Sequence, residues 1–106
     1  MESQTHTFDL EQMRAAANTA SGTLRALAHQ DRLLLLCQMT HGEKSVSELE
    51  ELLGLRQPSL SQQLGVLRNE GLVNTRRDGK RIFYSVADPK VLQLLITLYA
   101  LYCPEE

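Results

Sequence analysis

Two groups of side chains in this sequence have chemistry to offer. The first is a pair of thiols, Cys37 in the run LLLLCQM and Cys103 in the terminal LYC. A thiolate can attack a sulfur–sulfur bond or bind a soft metal, and a protonated thiol can simply fill apolar space. On the residues alone, Cys37 reads as a buried small hydrophobe and Cys103 as an exposed thiol near the chain end. The histidines add no metal site: His6, His29 and His41 are scattered and show no ligand spacing. His29 is read as marking a boundary between helices, and His41 as sitting at a helix end. The second group is polar and cationic. Gln57, Ser59, Ser61, Gln62 and Gln63 cluster at the start of a helix, with Arg68 towards its end. Arg76, Arg77, Lys80 and Arg81 then bracket an Asp-Gly turn. Glutamine can pair bidentately with adenine, serine can meet several base edges, and arginine and lysine neutralise phosphates. This is the chemistry of duplex DNA recognition. Either part alone would be an ordinary solvated surface. In this order, a polar helix followed by a cationic tip, the two form a much more specific signal.

The elements that must position these groups follow from periodicity and punctuation. Asp9 is the expected N-cap of a first helix running to about Leu27, with Met13, Ala16, Ala17, Ala20, Leu24 and Leu27 at helical spacing. Ser21-Gly22 weakens its middle and invites a kink. A second helix spans about Asp31 to Thr40 and is closed by Gly42. Ser45 and Glu48 form an S-x-x-E capping box for a third helix, whose inward face is Leu49, Leu52 and Leu53 and which Gly54 ends. Pro58 suits the first position of a fourth helix reaching about Glu70, with Leu60, Leu64 and Leu67 as its core stripe. Leu72 to Arg77 and Lys80 to Val86 read as strands, joined by Asp78-Gly79 in a type I′ turn. Asp88-Pro89 caps a last helix from about Lys90 to Tyr102. The order is ααααββα, mainly α with a small β-hairpin. Residues 45–70 form a helix-turn-helix and 72–86 a wing, within one domain spanning 1–106 whose first eight residues are expected to be disordered.

Composition agrees once its distribution is considered. The net charge is −2, which by itself argues against a nucleic-acid binder. Residues 1–54, however, hold four Lys/Arg against eight Asp/Glu, and residues 56–81 hold six against two. Only the local field is felt within a Debye length of about 10 Å, so the second segment can dock on phosphates. No stretch approaches the roughly 20 apolar residues of a membrane span, and MESQTHTFDLEQ does not read as a signal peptide. A cytoplasmic protein with no cofactor is expected, and there two cysteines do not make a permanent staple.

The segments LRALAHQDRLLLLCQM, SVSELEELLGLRQPSLSQQLGVLRNEGLV and RRDGKRIFYSV resemble the ArsR/SmtB family of dimeric bacterial repressors. The resemblance covers about residues 20–103, and SLSQQLGVLRNEGLV is its most specific part. It implies a winged helix-turn-helix homodimer, joined through the first and last helices at 9–28 and 90–102, that binds double-stranded DNA at an inverted-repeat operator. Family members usually carry a histidine where Gln63 stands. Metal-sensing members place Cys-x-Cys on the third helix, or Asp and His on the last. Here SELEELL and VLQLLITLYALY hold neither set. One branch is sulfide- and persulfide-responsive and has cysteines in the LLLLC helix and a terminal LYC. The resemblance to that branch implies that Cys37 and Cys103 are a sensing pair, linked by a di- or polysulfide when a persulfide or polysulfide inducer arrives, with release of DNA.

The last helix supports the dimer on its own terms. VLQLLITLYALY is apolar on most sides, and a small monomer has little interior in which to hide it. Competing readings are a regulator answering to general oxidants, haem or an atypical metal, a thiol-based redox enzyme using Cys37, and a winged-helix protein-interaction module. The enzyme is disfavoured because the chain has no Cys-x-x-Cys and no evident partner base. Some family members displace another repressor, so the net effect on transcription can be activation.

Overall fold

The computed structural model describes residues 9–103. The expectation of disorder over residues 1–8 and His6 lie outside them. Asp9 starts the first helix, its carboxylate accepting from the Gln12 N–H at 2.8 Å. Helix α1 (Leu10–Leu27) then runs as one continuous helix through Ser21-Gly22. His29 caps the next helix through Nδ1, which accepts from the Asp31 N–H at 3.2 Å. Helix α2 (Gln30–Gln38) gives way to a 3-10 turn (Met39–His41). Gly42 follows at φ 136°, a conformation that side-chain-bearing residues rarely adopt.

The order departs from ααααββα at one point. A two-residue strand β1 (Lys44–Ser45) precedes helix α3 (Val46–Leu53), and pairs Lys44 with Tyr84 and Ser45 with Phe83. The sheet therefore has three antiparallel strands in the order β1-β3-β2, with β2 (Val73–Asp78) and β3 (Arg81–Val86) forming the hairpin. The capping box at Ser45 and Glu48 is present in both directions. Ser45 is only 1% exposed.

Helix α4 (Ser59–Asn69) begins one residue later than the sequence suggests, with Pro58 just outside it. Asp78 pairs with Arg81, so the hairpin loop is Gly79-Lys80. Only Gly79 there has positive φ, at 65°. A type I′ turn needs positive φ at both central residues, so the loop instead carries the glycine-first signature of type II′. Helix α5 (Pro89–Tyr102) closes the chain.

One core unites these elements. Leu60, Leu64 and Leu67 of α4 meet Leu35, Leu36, Leu49, Leu72, Val73, Val91 and Leu95. Of the three leucines expected to point inward on α3, only Leu49 is buried and Leu52 is 55% exposed. Leu53 is half-buried against the core, so the eight-residue helix buries a narrow seam that leaves Leu52 to one side. The molecule is elongated, 55 × 35 × 21 Å, with a radius of gyration of 16.5 Å. A compact domain of this length has about 13 Å. Helix α1 is the least covered element: of its 18 residues only Ala26 and Leu27 are buried. No helix among the described residues is long and apolar enough to cross a membrane.

Candidate nucleic-acid interface and thiol pair

The α4 face opposite Leu60, Leu64 and Leu67 is where the sequence placed its DNA readers. Gln57, Ser61 and Gln62 are exposed there and Ser59 is half-buried. Gln57 does more than face solvent. Its amide oxygen accepts from the Ser61 backbone N–H at 3.2 Å and from the Ser61 hydroxyl, which caps α4 from outside. The Gln57 amide N–H groups and the Ser61 lone pairs remain available to a partner. Gln63 does not belong to this exposed set. It is half-buried, and its Oε1 accepts from Arg32 Nη1 on α2 at 3.0 Å. Arg68 is exposed in the last turn of α4, about 13 Å along the axis from Ser59.

The wing divides its four cations into two kinds. Arg76 and Arg81 both lie over the Phe83 ring, at 4.5 and 4.9 Å from its centroid. Arg76 also donates to the Glu43 carboxylate, with Nε at 3.1 Å, and Arg81 donates to the Ser45 hydroxyl at 3.3 Å. The Arg76 guanidinium holds the Glu43 carboxyl below the usual carboxylate range, and Glu43 in turn pushes Arg76 up. Arg77 and Lys80 are exposed, and among the described residues neither makes a side-chain hydrogen bond or ion pair. Sequence reasoning treated the four as one tip. The alternation of β2 and β3 places Arg76, Arg81 and Phe83 on one face, and aromatic stacking then holds two of the charges against the sheet.

The thiols belong to other elements, α2 and the end of α5. Cys37 is half-buried on α2 and packs against the core. Together with Thr40, His41, Leu95, Ile96 and Tyr99 it lines a cleft of about 430 Å³ between α2 and α5. Cys103 is exposed and ends α5, its backbone N–H donating to the Tyr99 carbonyl at 2.9 Å. Burial pushes the Cys37 thiol up, and the nearby Cys103 pushes it the same way. Neither thiol is bridged. Among the described residues no group of three His, Cys, Asp or Glu could hold a metal ion.

Two features escaped the sequence reading. Arg32, which engages Gln63, has a signal in the sequence: an arginine in the first turn of the apolar helix DRLLLL needs an acceptor. The ring of Phe83 was counted only as a strand residue.

Comparison with known proteins agrees with this layout. The model of the family described as "Bacterial regulatory protein, arsR family" matches residues 29–75. The "Biofilm growth-associated repressor" of Agrobacterium fabrum is 51% identical over 98 residues, spanning 92% of this chain and 84% of that protein. The crystal structure of the transcriptional repressor BigR from Xylella fastidiosa superposes with a TM-score of 0.84 at 46% identity, covering 92% of this chain and all of the other. A homodimeric winged helix-turn-helix DNA-binding domain from Mycobacterium bovis, a possible ArsR-family regulator, gives 0.74 at 27% identity, covering 88% of this chain and 86% of that one.

Proposed function

This chain belongs to the arsR family of bacterial regulatory proteins, and we propose that it is a dimeric, DNA-binding transcriptional repressor switched by reactive sulfur at Cys37 and Cys103. The family consists of regulators rather than enzymes, which removes the redox-enzyme reading. The observation that carries the proposal is the pairing of a polar α4 face and two uncommitted wing cations in one part of the chain with two unbridged thiols, on α2 and at the end of α5, in another. The 48–51% identity to repressors supports the direction of regulation.

Gln57, Ser59, Ser61 and Gln62 would enter the major groove, and Arg77 and Lys80 would neutralise flanking phosphates, with Arg68 adding to the cationic field while Arg76 and Arg81 stay committed to Phe83. The second copy comes through α1 and α5. A groove lined by Ala16, Ala20 and Leu24 of α1 and by Val91 and Leu94 of α5 is open in one chain, and Leu101 further along α5 is exposed. Two-fold symmetry gives an inverted-repeat operator with half-sites about 34–36 Å apart, or a multiple of that.

Exposure and the raised Cys37 thiol make Cys103 the first to react. Its thiolate attacks the sulfane sulfur of a small-molecule persulfide, the S–S bond breaks, and the parent thiol leaves. Cys37 then attacks the Cys103 sulfur of the resulting protein persulfide, forming the disulfide and releasing hydrogen sulfide. Two thiols are oxidised and one sulfane sulfur is reduced. A second persulfide equivalent inserts a further sulfur and relaxes the roughly 7 Å limit between Cα atoms of a direct disulfide. The bridge ties α5 to α2 and displaces the reading helices from the grooves. The test is binding to a duplex selected from a randomised pool, before and after persulfide treatment, with mass spectrometry alongside. Loss of binding with an intramolecular sulfur bridge is expected, and Cys37→Ser and Cys103→Ser should each abolish the response. A Cys37→Ser protein that still releases DNA would sink the mechanism.

A further inference from the structure

Arg32 sits where three helices meet. Its Nε donates to the Ala26 carbonyl at 2.7 Å and its Nη1 to Gln63 Oε1 at 3.0 Å. Ala26 lies in the last turn of α1, where carbonyls lack intrahelical donors, and a cation there also suits the helix dipole. Gln63 lies midway along α4. A guanidinium on α2 therefore grips the end of α1 with one nitrogen and the flank of α4 with another. Those nitrogens belong to a rigid planar fork, so the angle between the two grips is fixed in a way that a flexible ammonium could not fix it. A cleft of about 400 Å³ lined by Gly22, Arg25, Ala26, Arg32, Val66 and Glu70 lies at the same junction. Residues of α1 and α4 face each other across it, and Arg32 spans the gap.

We propose that Arg32 is a positioning residue for operator recognition: through Gln63 it sets the angle of the α4 reading face against α1, and Gln63 serves as its acceptor instead of reading a base. The inference rests on the proposed roles of α4 in reading DNA and of α1 in dimerisation. In such a dimer the two reading faces must match the half-site spacing, so the α1–α4 angle in each protomer enters the fit twice. Contacts to phosphates away from the half-sites make no such demand. Arg32 should therefore matter for specific binding and leave non-specific binding alone.

The experiment uses the full chain and two duplexes, one selected by the wild-type protein from a randomised pool and one unrelated duplex of equal length. Arg32→Lys keeps the charge but loses the fork, and Gln63→Met keeps bulk and helix propensity but loses the acceptor. Each is expected to weaken binding to the selected duplex about tenfold, the scale of one lost hydrogen bond to a charged group. Binding to the unrelated duplex and its salt dependence stay as in the wild type. The double variant loses no more than either single one, because the two act through one contact. Reselection with Gln63→Met returns the wild-type sequence, and sedimentation and melting of the same variants report whether the dimer and fold persist. If Arg32→Lys does not fold, Gln63→Met alone carries the test. The proposal is overturned if Gln63→Met selects a different sequence, if the two losses add, or if a folded Arg32→Lys binds as tightly as the wild type. A wild-type protein that selects no sequence would overturn the DNA-binding reading itself, which is a separate outcome.

Discussion

The two parts of this molecule solve the burial problem differently. From Ser45 to Val86 the chain supplies its own partners. The leucine stripe of α4 is buried, Ser45 is capped and paired, and even the charged Arg76 and Arg81 are stacked on Phe83. At α1 and α5 the chain leaves the same kind of residue uncovered. Met13, Leu24, Ile96, Tyr99, Leu101 and Tyr102 are all exposed, the last two at 71% and 79%. Scattered apolar surface is ordinary, but a set concentrated on two helices beside an open groove is the mark of an interface. The helix-turn-helix and wing bury their leucine stripe within one chain, whereas α1 and α5 leave apolar residues open that a second copy would cover. Under the proposed thiol switch, a signal at Cys103 would arrive where the structure depends most on its neighbour.

The contrast can be broken most severely at α5. Leu101→Asp is expected to split the dimer and to weaken operator binding about a hundredfold or more, because two linked half-sites become two independent ones. Sedimentation would show the monomer, and circular dichroism should still show a folded chain. A dimer that survives would remove the contrast. In the self-contained part, Leu64→Ala should cost about 2–5 kcal/mol of stability through a cavity in the shared core. Denaturant unfolding would measure it, and the mass of the remaining folded protein should stay that of the dimer. The wing offers a finer cut. Arg77→Ala and Lys80→Ala should each lower the slope of log affinity against log salt by about 1, whereas Arg76→Ala and Arg81→Ala should leave it nearly unchanged. Equal slopes for all four would mean that stacking on Phe83 does not commit a charge. The smallest effect concerns Glu43. Its carboxyl titrates lower in the fold, so its contribution is present above the ordinary carboxylate value and disappears as pH falls through the folded one. Melting temperatures of the wild type and Glu43→Gln should differ slightly at neutral pH and converge in acid.

Much of the self-contained part could be read from local patterns because its determinants are local. The S-x-x-E box at Ser45 and Glu48 and the stripe at Leu60, Leu64 and Leu67 are each set by neighbours within about two turns of helix. What escaped was fixed at a distance. Strand β1 exists because Lys44 and Ser45 meet Tyr84 and Phe83, and two residues carry no periodicity of their own. Gln63 turns towards an arginine 31 positions earlier in the chain. The hairpin register moved the loop to Gly79-Lys80, but the alternation that puts Arg76 and Arg81 on the Phe83 face was already visible in the sequence. The thiols differ again. Their types are plain, but how they stand to each other depends on the packing of α2 beside α5.

Ser45 joins three structures through one residue. Its backbone pairs with β3, and its hydroxyl caps α3 and accepts from Arg81. The wing and the helix-turn-helix are thereby riveted into a single reading head. For the proposed operator this fixes a ruler: the distance from the bases met by α4 to the phosphates met by the wing cannot be adjusted by bending. A base pair inserted between those points moves one away from the other by about 3.4 Å and rotates it around the duplex. Half-sites for this protein should accordingly tolerate base changes in their flanks and reject insertions there.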